Sequence, residues 1–422
     1  MNANANANSN ANAAAAGGLS QIIQHVFVLM LENRSFDHLF ALSGIPGIVA
    51  ATNGNANTYN GATYAFSGGA PGQMPTDPGH EFIDVVEQLC GARAHFQRGQ
   101  PYPPVDNSGF VSNYATTRTE GAPPQSGDVD DIMRGVDVRT QSPALYQLAT
   151  QFVLCDGWHS SLPGPTWPNR YFLHGASSAG LDHSPTSAEI CKWEGPDGFV
   201  YPKGSIFDAL GKGNYRLYQD HLGDPLGRIP QVASIKGISF CDVDDLSHFE
   251  ADLAASYTAR YTFIEPSYGD VVHDTYENGS SQHPMDGLAG GDQLVARVYG
   301  AIRNSPLWDR SLFMILYDEH GGFYDSALPG KAIPPDDDAA ATLNANGFGF
   351  DVYGVRVPAI IVSPWVAQGR VDHTTYDHSS VLATLERLFG LQPLTGRDRN
   401  ANDVLSLITQ TCRQDCPERI GK

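Results

Sequence analysis

His25-Val-Phe-Val-Leu-Met-Leu-Glu-Asn-Arg-Ser-Phe-Asp-His38 is the stretch from which the fold is read. Its apolar run, Val26 to Leu31, is too short for a helix and bulky enough for a strand buried on both faces. The run stops at Glu32-Asn33, and Ser35 is placed to cap a short helix from Phe36 towards Gly44. In open α/β sheets, ligands collect beyond the carboxyl ends of the strands. Glu32 and Asn33 stand at such an end, and both offer oxygen to a hard cation. The plainer reading of the same pair is an acidic helix start that complements the helix dipole. A second stretch decides against it. Ser311-Leu-Phe-Met-Ile-Leu-Tyr317 is the strongest strand of the chain and ends in Asp318-Glu319-His320-Gly-Gly-Phe-Tyr-Asp325. It repeats the design, with Gly321-Gly322 allowing the backbone to pack closely behind the tip.

Composition sets limits on partners. Lys plus Arg total 26 against 46 Asp plus Glu, a net charge of −20, so no basic field exists to neutralise a nucleic-acid backbone. A single phosphate ester is not excluded, because a bound cation screens it locally. Six cysteines, at 90, 155, 191, 241, 412 and 416, form no CxxC pair and leave the redox compartment open. No apolar run approaches the roughly 18 residues of a membrane span. Residues 1–18, low in complexity and without a basic region, read as a disordered tail. Residues 19–405 read as one domain with two long irregular insertions, about 45–125 and 180–260, and 406–422 as a weakly anchored C-terminal tail.

Between the two strand tips lie the other candidate groups. Asp77-Pro-Gly-His80-Glu sits in the first insertion, ahead of a helical stretch near 81–94. Ser142 to Thr150 reads as a capped helix with Pro143 in its first turn, and Phe152 to Cys155 as a strand. The loop Asp156 to Arg170 is stiffened by three prolines and Gly164, and it sets Thr166 just ahead of a helix running from Asn169 to Ser177. Unpaired N–H groups and the dipole at such a helix start favour a phosphate, although a simple threonine cap explains the residue equally well. The second insertion holds a helix at Ser205–Gly211 and the run Leu217-Tyr-Gln-Asp-His221. Tyr261 to Glu265 is a strand, His283 lies in a polar loop, and Gln293 to Asn304 is an amphipathic helix. Val355 to Ser363 reads as a strand, and Asp377-His378-Ser-Ser caps a helix to Phe389.

Taken together, Glu32-Asn-Arg-Ser-Phe-Asp-His38, Pro163-Gly-Pro-Thr-Trp-Pro-Asn-Arg170 and Tyr317-Asp-Glu-His-Gly-Gly-Phe-Tyr-Asp325 resemble the phosphoesterase family of phospholipases C and related acid phosphatases. Gly354-Val-Arg-Val-Pro358 and Tyr376-Asp-His-Ser-Ser380 extend the likeness over about residues 23–390. The resemblance implies an alkaline-phosphatase-like three-layer α/β/α sandwich around a largely parallel sheet. It also implies a divalent metal ion held by Glu32, Asn33, Thr166, Asp318 and Glu319, with Thr166 as nucleophile. His80 and His283 match family histidines around the phosphoryl group, His221 matches by spacing alone, and His378 has a counterpart without an assigned role. The resemblance implies a periplasmic or secreted setting.

The chemistry is consistent with that reading. A phosphodiester repels an attacking oxygen, so a cation and hydrogen-bond donors are needed to draw the two together. An all-oxygen ligand set points to calcium, zinc, manganese or iron. A sulfatase needs Cys or Ser where this chain has Thr166, and no second Asp/His set for a two-zinc site is evident. The favoured expectation is a phospholipase C acting on diesters such as phosphatidylcholine through a phospho-threonine. An acid phosphatase acting on monoesters is the alternative, and a catalytically inactive binding protein on the same fold is the distant one. The expected partner is a phospholipid or a small phosphate ester, with at most transient membrane-surface contact and no nucleic acid. Trp158, Trp167, Tyr171 and Trp193 are candidate contacts for a quaternary ammonium group.

Overall fold

Every side chain from His25 to Leu31 is buried, whichever way it points, so a layer must cover each face of this strand. The computed structural model describes residues 18–421 apart from 122, 125–127, 228 and 338–341, and residues 1–17 of the expected tail lie outside them. Eight strands make the main sheet: β1 (His25–Leu31), β2 (Val153–Cys155), β3 (Tyr215–Gln219), β4 (Val243–Asp245), β5 (Tyr261–Glu265), β6 (Ser311–Tyr317), β7 (Ala359–Val362) and β8 (Arg370–Asp372). Their order is β8-β2-β7-β6-β1-β5-β3-β4, and only β7 runs against its neighbours.

The principal helices are α1 (Phe36–Phe40), α2 (Phe82–Cys90), α3 (Pro143–Gln151), α4 (Thr166–Gly175), α5 (Leu288–Arg303) and α6 (Ser379–Phe389). Four of them cover the two faces of the sheet, α3 and α5 on one and α4 and α6 on the other. Phe27 meets Phe249 of the short helix Phe249–Ala254, which packs on α5, and α5 in turn packs on α3. Phe263, which pairs with Val28 and so points to the other face, meets His174 of α4, and α4 packs on α6. The result is the expected α/β/α sandwich. Each fully buried Leu, Ile, Val or Phe in it contributes roughly 1.5–3 kcal/mol.

Register is what matters for function. β1 and β6 run parallel from His25↔Ser311 to Leu31↔Tyr317, so Glu32 and Asp318 leave the sheet side by side. Departures from the sequence reading lie in the long insertions. The stretch 180–260 supplies β3 and β4, which extend the sheet beyond β5. The stretch 45–125 holds α2, a second helix Phe110–Thr116 and the hairpin Ala56–Tyr59/Ala62–Ala65, around an apolar cluster of its own that includes Val85, Leu89, Phe110 and Tyr114. The C-terminal stretch is held rather than loose: Leu407, Cys416 and Ile420 are buried, and Arg303 of α5 donates to the Cys416 carbonyl.

Candidate active site

The two strand tips interlock through backbone and side chain. Asn33 takes a left-handed conformation, φ 62°, which an asparagine tolerates better than most residues. That turn aims its N–H at Asp318 Oδ1, 3.2 Å away, and the N–H of Glu319 donates to the same oxygen at 2.7 Å. Arg170 of α4 donates from Nε to Asp318 Oδ2 at 2.8 Å and stands 3.7 Å from Glu32 Oε2. All five residues are buried. Behind them Gly321, φ 61°, lies so close to the Asn33 carbonyl that no Cβ fits, as the glycine pair suggested.

Thr166 is delivered by a loop that Asn169 staples from within the helix. The Asn169 amide donates to the carbonyls of Leu162, Gly164 and Pro165, at 3.3, 2.9 and 3.1 Å, and accepts from the Leu162 N–H. Thr166 is therefore the first residue of α4 rather than a residue just ahead of it, because Pro165 takes the extended cap position. Its hydroxyl stands 3.5 Å from Asn33 Oδ1, which brings the nucleophile candidate to the strand tips.

The remaining motif residues are clips. Arg34 donates to the carbonyls of Gln282, His283 and Asp286, tying β1 to the loop that carries His283. Arg356, from Gly-Val-Arg-Val-Pro, bridges Asp37 at 3.1 Å and Asp325 at 2.9 Å, both wholly buried. His378 donates Nε2–H to the Asp318 carbonyl at 2.6 Å, while its Nδ1 accepts from Trp158 Nε1–H at 3.3 Å. It thus buttresses the tip of β6.

Glu32, Asn33, Thr166, His80 and His283 all line one cavity of about 250 Å³. His80 donates Nδ1–H to the Pro78 carbonyl at 2.9 Å, leaving Nε2 facing Glu120, 3.8 Å away. Burial works against its charge, but Glu120, Glu319 and Asp77 outweigh that and raise its pKa well above the usual histidine range. His283 accepts the Met285 N–H on Nδ1, stacks on Tyr276 at 3.6 Å and points Nε2 at Asp77, 3.4 Å away. His221 is not part of the site. It follows β3, two strands from β1, and its side chain is 68 % exposed beside Asp220. Its spacing in the sequence matched while the sheet order carried it away.

Several lining residues had no signal in the sequence: Glu120, Gln231, Tyr268 and Tyr276 come from loops whose approach depends on the tertiary fold. Of the four aromatic candidates only Trp167 lines the cavity; Trp158, Tyr171 and Trp193 belong to the main core. Burial and the neighbouring Glu319 and Glu32 push Asp318 up to about 7 despite Arg170, whereas His80 and His320 outweigh burial and hold Glu319 down. No lysine or arginine is among the described lining residues.

The donor chemistry suits a hard cation. Glu319 Oε1 is buried without a hydrogen-bond partner, and the amide and hydroxyl oxygens of Asn33 and Thr166 stand 3.5 Å apart at the same strand tips. As placed, Asp318 spends its oxygens on Arg170 and two N–H groups, and no three His, Cys, Asp or Glu side chains among the described residues gather at coordination range.

Non-specific phospholipase C6 of Arabidopsis thaliana is 35% identical over 417 residues, covering 94% of this chain and 74% of that protein. Non-specific phospholipase C3 of the same plant is 30% identical over 423 residues, covering 95% and 76%. A solved structure from Vibrio parahaemolyticus, described as a protein in the alkaline phosphatase superfamily, aligns at TM-score 0.36 and 14% identity over 62% of this chain and 64% of that one. The model of the phosphoesterase family matches residues 23–392, and the chain belongs to that family.

Proposed function

We propose that this phosphoric ester hydrolase is a metal-dependent phospholipase C that cleaves phosphodiesters such as phosphatidylcholine through a phospho-threonine at Thr166. The observation that carries the reading is the placement of the Thr166 hydroxyl at the start of a buried helix, 3.5 Å from Asn33 and facing the tips of β1 and β6. The names of the relatives support a phospholipase, and the absence of Lys and Arg from the described lining favours a diester, with one negative charge, over a dianionic monoester.

In this mechanism the helix start and Asn33 hold the phosphoryl group while Thr166 Oγ1 gives its proton to cavity water and forms its bond to phosphorus, and the bond to the leaving alkoxide breaks. His80, held charged by Glu120, Glu319 and Asp77, gives its proton to that alkoxide. A water then attacks phosphorus and gives a proton back to His80, the bond to Thr166 breaks, and the threonine takes its proton back from the cavity water. A divalent cation held by Glu32, Asn33, Asp318 and Glu319 would screen the phosphoryl oxygens and acidify the Thr166 hydroxyl. No helix among the described residues is long and apolar enough to cross a membrane. A periplasmic or secreted setting forms part of the same proposal.

The test is a substrate panel: phosphatidylcholine, a soluble chromogenic phosphocholine diester and simple monoesters, compared at one pH. Higher kcat/KM on the diesters is expected. A clear monoester preference with an acid optimum makes the protein an acid phosphatase instead.

A further inference from the structure

Gln231 is a buried polar side chain of the cavity wall that the protein itself leaves unheld. Gln231 is 4 % exposed, and neither its amide nitrogen nor its amide oxygen makes a hydrogen bond. Its backbone is the opposite case. The Glu265 carboxylate accepts the N–H groups of Gln231 and Val232, each at 2.8 Å, and the Tyr268 hydroxyl at 2.9 Å. The Gln231 carbonyl accepts Ser234 Oγ–H at 2.6 Å. The turn Gln231–Ser234 is thus locked to the tip of β5, while the carboxamide that it carries beside the cavity has no partner. Leaving a buried amide unsatisfied costs about 1–3 kcal/mol, and native proteins seldom do so without cause.

We infer that Gln231 is a substrate-binding residue, whose carboxamide hydrogen-bonds the phosphoester in the cavity. The inference rests on the phosphoesterase reading above and deepens it. The amide supplies a donor to a non-bridging phosphoryl oxygen, together with an acceptor for a hydroxyl or water beside it. Being neutral, it selects a monoanionic diester: no Lys or Arg is among the described lining residues, Arg170 is engaged by Asp318 and Glu32, and the wall already carries Glu32 and Glu120. A site built to hydrogen-bond its substrate discriminates strongly, since a ligand lacking the matching group leaves a buried polar atom unpaired.

The experiment compares the full-length parent protein with Gln231→Leu and Gln231→Glu, on the chromogenic phosphocholine diester and by thermal unfolding. Leucine keeps the backbone N–H that Glu265 holds and removes a polar group that has no partner in the protein. The expected result for Gln231→Leu is a KM raised about tenfold or more with kcat within about threefold, and a Tm equal to or above the parent's. Gln231→Glu sets a carboxylate against an anion and should lose more kcat/KM than the leucine variant. Diester kcat/KM within about twofold of the parent for Gln231→Leu, parent-like activity in Gln231→Glu, or a Tm lowered by several degrees in Gln231→Leu overturns the inference while the phosphoesterase reading stands. A parent that turns over no phosphoester overturns both.

Discussion

Arg170→Met is the sharpest test of how the acidic tips are held together. The guanidinium is 1 % exposed, pairs with Asp318 at 2.8 Å and Glu32 at 3.7 Å, and bonds the carbonyls of Met30 and Leu31. Methionine fills much of the space and leaves two buried carboxyl groups without their cation. Breaking a buried pair from one side costs about 3–5 kcal/mol. At about 2.1 cal/mol/K per residue, a chain of 422 residues unfolds with roughly 0.9 kcal/mol/K of entropy, so Tm should fall by about 3–6 °C. The loss should also depend on pH. In the parent, Asp318 is already raised to about 7, so its folded form binds a proton that the unfolded chain releases at lower pH. Removing Arg170 raises it further, so the parent and the variant differ little near pH 5 and most above about pH 7. Scanning calorimetry with a chelator present measures both. A deficit that is constant across this range, or larger in acid, refutes the electrostatic account.

Gly321→Ala should cost about 1–3 kcal/mol and most of the activity, since it strains a left-handed residue and drives a methyl group into the Asn33 carbonyl; urea titration and turnover check it. Asn33→Gly keeps the left-handed turn and the N–H to Asp318 but removes the amide oxygen, so activity should collapse with little change in Tm. Burial and the neighbouring Asp398 raise Glu386 to about 9, so the folded protein keeps a proton there that the unfolded chain has lost, and stability falls as pH rises from the ordinary Glu range towards 9. Glu386→Gln should therefore match the parent in acid and exceed its Tm increasingly on the alkaline side.

The parts of this protein that could be read from sequence are those whose chemistry is compressed into contiguous runs. Val26–Leu31 and Ser311–Tyr317 declare themselves as buried strands, and each delivers two oxygen-bearing side chains within two residues of its end, so Glu32, Asn33, Asp318 and Glu319 follow once the strands are parallel neighbours. Thr166 follows from the stiff Pro-Gly-Pro approach, although the helix starts at Thr166 itself. What could not be read depends on distant pairing. β3 and β4 are short strands inside a polar stretch that extend the sheet beyond β5, and their pairing is what carries His221 to the surface. Glu120 and Gln231 reach the cavity from loops, and the carboxylate that locks Gln231 in place, Glu265, lies 34 positions away. Trp158, a candidate ligand contact by composition, is fully buried and donates its indole N–H to His378 at the start of α6.

Acid-quenched turnover of the chromogenic phosphocholine diester, followed by mass spectrometry of the peptide carrying Thr166, is the most direct test of the central claim. The parent should show one phosphoryl group on Thr166 during the burst. Thr166→Ala should show none, lose at least about a thousandfold in kcat, and keep its stability to within about 1 kcal/mol. A phosphoryl group on another side chain, or Thr166→Ala turning over within about tenfold of the parent, would contradict the account.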